Sequence, residues 1–233
     1  SVVSVPFALL VAQTVGVGHR FPEYYLGVVV TGVILAMILP RIWPLNSFPD
    51  TPFESFHSMR ESAEAASGSL VGEAISKAVD RAKLARPLRE QFRYAGGNIL
   101  DIWFGLVPAV IAVGGAGLIL AEHTPVLDWI AMPLVPLLEL FGLPEASAAA
   151  PALLSGFLDM FLPALIGSSI ESEYTRFVVG ILSVTQLIYM SEIGVLMLKC
   201  EIPLRFRHLI TLFLMRTALG IPIVIIYANL IFS

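Results

Sequence analysis

Six charged or amide side chains lie in or beside two apolar segments of residues 156–199, and their types suit the chemistry of a binding site. They are Asp159, Glu171, Glu173, Arg176, Gln186 and Glu192. An unpaired carboxylate near the centre of a bilayer costs on the order of 3 kcal/mol or more. Such a group therefore faces a helix-bundle interior, a partner or a wet cavity. The pattern predicts the polar centre of a membrane protein, with the other segments arranged around it.

A polar stripe is expected on the second of these segments. Thr185, Tyr189 and Glu192 are spaced i, i+4 and i+7, so a continuous helix would carry them on one face, beside Gln186. Hydrogen bonding between helices accounts for the threonine. A glutamine, a tyrosine and a glutamate together favour the wall of a water-filled cavity. We predict that Gln186, Tyr189 and Glu192 bind the substrate.

Glu192 and Arg216 are predicted to form an ion pair inside the membrane. Glu192 lies seven residues before Lys199, and Arg216 lies nine residues after Arg207. At the rise of an α-helix, both side chains lie about 10–13 Å inside the cytoplasmic boundary, on consecutive antiparallel helices. Two interpretations remain open. The pair either fixes helix register, or it changes when a solute or a proton binds.

Asp159, Glu171 and Glu173 complete the predicted substrate-binding set. Apolar residues flank Asp159 on both sides, where a helix-capping role is poorly placed. Glu171 has the spacing of a capping box with Ser168, and Glu173 is followed three residues later by Arg176. Capping needs one acid and this turn has two. Helix capping and an entry site for a substrate or cation therefore remain alternatives.

The composition places the chain in the membrane class. Hydrophobic residues make up 57% of the chain and charged residues 14%, and the mean hydropathy is +0.83. A soluble domain averages about 45–50% apolar and about 25% charged residues. The net charge of −4 argues against nucleic acid as a partner.

The sequence predicts neither an enzyme nor a site for a cofactor or metal. The single cysteine excludes an internal disulfide, and the four histidines lack the i, i+4 spacing of a helical zinc pair. The motifs G-x-S-x-G, H-E-x-x-H and the P-loop are absent from the sequence. An intramembrane hydrolase is the weakest alternative, because an acid pair with Asp159 has only Asp101 as a loose candidate.

The hydropathy pattern divides the chain into three regions. We predict two N-terminal transmembrane helices in 1–45, a cytoplasmic amphipathic helical linker in 46–97, and a transmembrane domain in 98–233. A spanning helix needs roughly 20 apolar residues. The predicted spans are 2–17, 24–39, 98–120, 174–198 and 206–232. Segment 2–17 lacks the basic start and clear cleavage site of a signal peptide, so we interpret it as a span.

The linker is predicted to be helical. Thr51, Pro52 and Glu54 form a capping box with proline at the first helical position. Farther along, apolar residues at helical spacing oppose a charged face. The amphipathic helix either lies on the anionic inner leaflet, with lipids as its partners, or packs against its own protein.

Three short apolar segments, 126–141, 146–154 and 156–166, do not suit full spans, and each of them contains proline. Such pieces are typical of re-entrant or discontinuous helices that line a binding cavity. We therefore predict an all-α, polytopic transmembrane bundle with broken helices. Lys and Arg are dense in 41–93 and absent from 121–172. This bias places the linker and loop 199–207 in the cytoplasm, and the acidic turn at 171–173 outside.

Four motifs together resemble the YjiH-type bacterial membrane proteins, which carry a nucleoside recognition, or Gate, domain. They are Gly97-Asn98-Ile99-Leu100-Asp101, Asp159-Met160-Phe161-Leu162-Pro163, Glu171-Ser172-Glu173-x-x-Arg176-Phe177 and Ser191-Glu192-x-Gly194. The resemblance covers residues 90–232 and implies a Gate-type transporter fold, with broken helices that meet near the middle of the membrane. Gate modules usually occur as two inverted copies. One copy is evident here, so the resemblance implies an additional half or a second protomer.

The hydropathy pattern and this resemblance together predict an integral protein of the bacterial inner membrane. Its expected function is that of a secondary transporter, or transporter half, for a small polar solute, nucleoside-like solutes included. Its expected partners are membrane lipids, the solute, and a homo-oligomer or a second Gate-containing half. The alternative is a non-transporting membrane subunit that uses its Gate-like domain for assembly or partner binding.

Overall fold

The structure is a computed structural model that describes residues 4–43, 45, 79, 87–194, 197 and 205–232. The chain divides into two compact units, Ser47–Gly105 and a larger one that combines Ser1–Asn46 with Leu106–Ser233. Across the described residues the regular structure is helical without strands, which confirms the all-α prediction. Most of the predicted linker, including its capping box at Thr51, lies outside the described residues.

Ten α-helices occur in the described residues. They are α1 (Val5–Thr14), α2 (Phe21–Ile38), α3 (Leu88–Asp101), α4 (Val107–His123), α5 (Val126–Ala131), α6 (Val135–Leu140), α7 (Ala146–Ser155), α8 (Leu162–Gly167), α9 (Glu173–Thr185) and α10 (Phe206–Phe232). Short 3₁₀ turns occupy Gly18–Arg20, Leu39–Arg41 and Met132–Leu134, and π-helical turns occupy Ile102–Leu106 and Met190–Gly194.

Helix α3 belongs to the Ser47–Gly105 unit. It begins directly after Pro87, whose carbonyl accepts hydrogen bonds from Glu90 N (2.9 Å) and Gln91 N (3.1 Å). A proline fits this position because the first turn of a helix needs no N–H donor from it.

Helix α9 packs against α2, α7, α8 and α10 in the larger unit. Every residue from Phe177 to Thr185 is buried, because this part of the helix is apolar or small on all sides. Ser172 starts the helix, since its Oγ accepts a hydrogen bond from Thr175 N (3.2 Å). The larger unit is therefore built around α9, and the two ends of this helix carry the polar residues discussed below.

Two helical stretches among the described residues have the length and apolar composition needed to cross a membrane. They are Gly18–Arg41, with 24 residues, and Phe206–Phe232, with 27 residues. The second has the bounds that the sequence predicted. The first extends the predicted segment 24–39 at both ends.

Two predicted spans are shorter in the structure. Helix α1 has only 10 residues, because the chain turns at Gly16, which has a φ of 77°. Helix α9 ends at Thr185, so the predicted continuous helix over 174–198 is wrong. Leu187 has a φ of 57°, a left-handed conformation that an α-helix cannot contain. Consequently, the prediction that Thr185, Tyr189 and Glu192 share one helical face is also wrong.

Candidate functional site

Two interrupted helices meet in the larger unit. Residues 156–161 connect α7 to α8, and residues 186–191 follow the end of α9. We call these two segments together the junction. Its position was partly predicted, since the sequence indicated a break near 156–166 but a continuous helix through 186–191.

Backbone hydrogen bonds join the two segments of the junction. Met190 N donates to Phe157 O (2.8 Å), and Ser191 N donates to Leu158 O (3.0 Å). Where a helix is interrupted, its backbone groups lose their usual partners and need others. Each segment supplies partners to the other, which explains how both helices can be open at the same place.

Asp159 holds the two segments together through both carboxylate oxygens. Its Oδ2 accepts a hydrogen bond from Ser191 Oγ (2.9 Å), and its Oδ1 accepts one from Phe161 N (2.8 Å). The second bond forms a local turn just before α8 begins. Asp159 therefore stabilises the turn before α8 but does not cap this helix, because the N-cap residue is Phe161 and it has no side-chain cap hydrogen bond. The side chain is half-buried.

Glycines of α4 allow that helix to lie beside the junction. A Cβ atom built on Gly114 would lie 3.8 Å from Asp159 Oδ2, and one on Gly117 would lie 2.9 Å from Leu162 Cδ1. Small residues permit such close approach between helices. Helix α4 also packs against the π-helical turn Met190–Gly194, so it forms one wall of the junction.

Gln186 links three elements with its buried carboxamide. Its Nε2 donates to Leu153 O on α7 (3.0 Å) and to Thr217 Oγ1 on α10 (3.0 Å). The residue is 1% exposed, and its Oε1 has no hydrogen-bond partner. This oxygen lies where a side chain at Gly156 would be, since a Cβ built there would lie 2.0 Å from it.

Arg216 reaches the C-terminal end of α9, where its Nε donates to Thr185 O (2.5 Å). A cation is favourable there, because the last carbonyls of a helix carry partial negative charge. The backbone of Glu192 lies in the turn Met190–Gly194, but its side chain is outside the described part of the structure. The Glu192–Arg216 ion pair therefore stays a prediction.

Tyr189 is 2% exposed, and its hydroxyl donates to Val184 O (3.3 Å) at the end of α9. The junction thus brings together Asp159, Gln186 and Tyr189, with the backbone of Glu192 next to them. These residues place hydrogen-bonding groups and one carboxylate in the same part of the structure. Among the described residues, His, Cys, Asp and Glu side chains form no group of three that could hold a metal ion.

Glu171 and Glu173 lie at the other end of α9, which is about 18 Å away at the rise of an α-helix. Glu173 Oε1 lies 3.1 Å from His19 Nε2 and 3.2 Å from Arg20 Nε. Arg176 instead donates from Nη1 to Ile170 O (3.2 Å). The structure therefore pairs Glu173 with the turn before α2, and not with Arg176 as its spacing suggested.

The N-terminus of α9 is capped differently from the prediction. The Glu145 carboxylate accepts hydrogen bonds from Glu171 N (3.2 Å) and Ser172 N (2.8 Å). Ser168 lies at the end of α8, where its hydroxyl donates to Leu165 O (2.6 Å). The predicted capping box of Ser168 and Glu171 is therefore wrong. Glu171 itself is exposed.

Sequence reasoning did not identify Gly156, Ser191 and Thr217 as parts of the site. Their partners are Gln186 and Asp159, which lie about thirty residues away in the chain. Spacing rules detect residues that share one helix, and these contacts join different elements. The one available signal was the motif Ser191-Glu192-x-Gly194, which contains Ser191.

Comparison with known proteins identifies one relative of uncharacterized function. The chain is 46% identical over 233 residues to an uncharacterized protein of Alkalihalophilus pseudofirmus, and the match covers the whole chain and 50% of that protein. The chain thus spans about half the length of the curated relative it matches. No family model and no solved structure matches the chain.

Proposed function

We propose that the chain is one half of a secondary transporter of the bacterial inner membrane, and that it binds a small polar solute at the junction. Nucleoside-like solutes belong to this class, in keeping with the resemblance to Gate-domain proteins. The proposed role is binding and translocation without catalysis. Asp159, Gln186, Tyr189 and Glu192 are the proposed binding residues, and Arg216 braces the end of α9.

The observation that carries this proposal is the pair of adjacent helix interruptions. In a bilayer, backbone that leaves the helical conformation is tolerated where it is buried in protein or lines a wet cavity. Transporters bind their substrates at such interruptions, near the middle of the membrane. Here two interruptions share backbone hydrogen bonds, and a carboxylate lies between them.

The contacts at the far end of α9 support a polytopic arrangement. Tyr227 Oη on α10 donates to Glu23 O on α2 (2.6 Å), and Tyr174 Oη on α9 donates to Asn229 Oδ1 on α10 (2.8 Å). The starts of α2 and α9 therefore lie beside the end of α10. The distribution of Lys and Arg predicts this same grouping on the outer side of the membrane.

A second half is part of the proposal. The relative from Alkalihalophilus pseudofirmus is twice as long as the region matched here, which leaves room in that protein for another module. The proposed second half is another Gate-containing module or another copy of the chain. Membrane lipids surround the proposed assembly.

One observation favours the alternative of a non-transporting membrane subunit. Both carboxylate oxygens of Asp159 and the amide nitrogen of Gln186 already have partners within the chain. Polar groups that are satisfied in this way can serve only to hold helices in register. In that case the junction would only hold the helices together, and helix surfaces outside the junction would bind a partner.

Uptake into proteoliposomes separates the two functions. We expect vesicles that contain the full-length gene product to accumulate labelled uridine or adenosine above protein-free vesicles, with saturation and with competition by the unlabelled solute. Uptake that equals the protein-free background for both solutes, from protein shown to be folded and inserted, would favour the non-transporting subunit.

A further inference from the structure

We propose that the Oε1 atom of Gln186 is the acceptor for an N–H or O–H group of a neutral solute, and that Gly156 is the position that keeps this acceptor available. The inference rests on the proposed function, because it names the chemistry of the solute at the same junction. It also identifies Gly156 as a specificity-determining position that makes no hydrogen bond to the solute itself.

The orientation of the carboxamide follows from its neighbours. Leu153 O can only accept a hydrogen bond, so the group of Gln186 that faces it must be the amide nitrogen. Thr217 Oγ1 accepts from that nitrogen as well. The oxygen must then point away from both partners, into the place left open by the missing side chain of Gly156.

The oxygen is buried and has no partner. Buried polar atoms are nearly always hydrogen-bonded, and an unsatisfied one is unfavourable enough to need an explanation. A donor from a bound solute would satisfy it. Because the oxygen is enclosed in this conformation, the donor can reach it only when residues 156–161 move away from Gln186. Solute binding is thereby coupled to opening of the junction.

The chemistry around the oxygen favours a neutral donor. Gln186 Oε1 and the Asp159 carboxylate are acceptors, and the hydroxyl of Ser191 is already committed to Asp159. An anionic group would meet these two acceptors, and the Nε donor of the neighbouring Arg216 is already committed to Thr185 O. A full positive charge would be drawn to Asp159 and not to an amide oxygen. Amide, imide and hydroxyl groups fit the position at Gln186.

Two glycine-to-alanine substitutions test the close contact between Gly156 and the Gln186 oxygen. Gly156→Ala places a methyl group on the Gln186 oxygen, so we expect a clear fall in the melting temperature of the purified protein. The matched control is Gly115→Ala, because a Cβ at Gly115 meets nothing within 4 Å. Gly156→Ala combined with Gln186→Ala should lose less than the sum of the two single variants, because the clash is absent once the Gln186 side chain is removed. Additive losses in the double variant would contradict the close contact.

Binding of solute analogues tests whether Gln186 Oε1 accepts a hydrogen bond from the solute. The probes are uridine and its analogues with one donor blocked: 3-methyluridine and the 2′-O-, 3′-O- and 5′-O-methyl ethers. We expect at least one analogue to bind the wild-type protein about tenfold more weakly than uridine, which is the loss of one hydrogen bond. In the Gln186→Met variant, uridine and the blocked analogue should bind equally. If Gln186→Met does not fold, the Gly156→Ala/Gln186→Ala variant is used for the same comparison.

The outcomes separate this inference from the proposed function. Equal binding of uridine and all blocked analogues to the wild-type protein would overturn the inference while leaving solute binding intact. Discrimination that survives in the Gln186 variants would overturn it too, since another group would then accept the donor. If uridine does not bind at all, the solute part of the inference fails together with the nucleoside-like solute class. An ordered water at Oε1 would then be the remaining partner.

Discussion

The two ends of α9 use polar residues in opposite ways. At the N-terminal end the helix is regular: Glu173 forms ion pairs with His19 and Arg20, and the N–H groups of Glu171 and Ser172 just before the helix donate to Glu145. Arg20 Nε, Glu173 Oε1 and Arg176 Nε are buried there without a hydrogen bond, although the first two lie within an ion pair. At the C-terminal end the backbone is interrupted. The junction there has one buried side-chain atom without a hydrogen bond, and it is a neutral acceptor, Gln186 Oε1.

Under the proposed function, the number of acidic residues does not locate the binding site. The acidic turn before α9 is the most charged part of the stretch, but its contacts explain it as a helix cap and a clamp between helix ends. The junction has a single described carboxylate, Asp159, but it has the open backbone and the unsatisfied group that a ligand needs. The predictions below test that contrast between the two ends.

The largest effect is expected at the junction from the proposed Glu192–Arg216 pair. Glu192→Gln or Arg216→Met alone should destabilise the protein by roughly 3–5 kcal/mol if the pair is fully dry, because one buried charge is left alone. The double variant should recover much of this loss, as measured by melting temperature in detergent. Full recovery is not expected, since Arg216 also bonds to Thr185 O. Additive losses would show that the two residues do not pair.

A smaller effect is expected where α2 packs against α9 and α10. A Cβ on Gly27 would lie 2.6 Å from Tyr227 Cε1 and 2.7 Å from Ile181 Cδ1, whereas one on Gly32 of the same helix meets nothing within 4 Å. Gly27→Ala should therefore destabilise the protein by about 1–3 kcal/mol through overpacking. Gly32→Ala serves as the control and should be neutral or slightly stabilising. Equal melting temperatures for the two variants would argue against this packing.

At the N-terminal end of α9, Glu173→Gln should cost only up to about 1 kcal/mol, because its ion pairs are partly exposed and screened by water. Added salt should reduce the difference from the wild type. Glu171→Gln should have no measurable effect, since that side chain is exposed. Neither variant should alter solute binding. A loss of solute binding in Glu173→Gln would contradict the contrast between the two ends, because it would show that the acidic turn before α9 takes part in binding.

Membrane orientation is tested by labelling, with no expected change in stability. In a Cys200→Ser background, cysteines introduced at Ser62 and Ser169 should react with impermeant reagents from opposite sides of the membrane. The basic linker places the first in the cytoplasm, and the acidic turn beside the second should be outside. Reaction of both from the same side would overturn the orientation.

The sequence predicts the long helix Phe206–Phe232 and the break near Gly156, because continuous hydropathy and prolines act locally. It does not predict the break after Thr185. Residues 186–189 contain neither glycine nor proline and suit a helix, and they leave it in the structure where Met190 and Ser191 bond to the carbonyls of Phe157 and Leu158. That competition depends on a segment about thirty residues away, which no local pattern reports.

The same limit applies to the candidate site. Asp159 and Gln186 are recognisable as polar residues in apolar surroundings. Their partners are not, because Thr217 and Ser191 lie on other elements and are individually unremarkable. Glu145 accepts a hydrogen bond from Glu171 N, just before α9, from 26 residues away in the chain, so its role also depends on the fold and cannot be seen in the spacing.

The measurement that tests the central claim most directly is solute binding by Asp159→Asn, compared with Asp128→Asn, a matched control at an exposed position of α5. Asparagine at position 159 keeps the size of the side chain but replaces one acceptor oxygen by an NH2 group. It can therefore no longer accept hydrogen bonds from both Ser191 and Phe161. We predict that both variants are folded and inserted, and that uridine stabilises the wild type and Asp128→Asn but not Asp159→Asn. Undiminished stabilisation of Asp159→Asn by uridine would contradict the claim that the junction is the binding site.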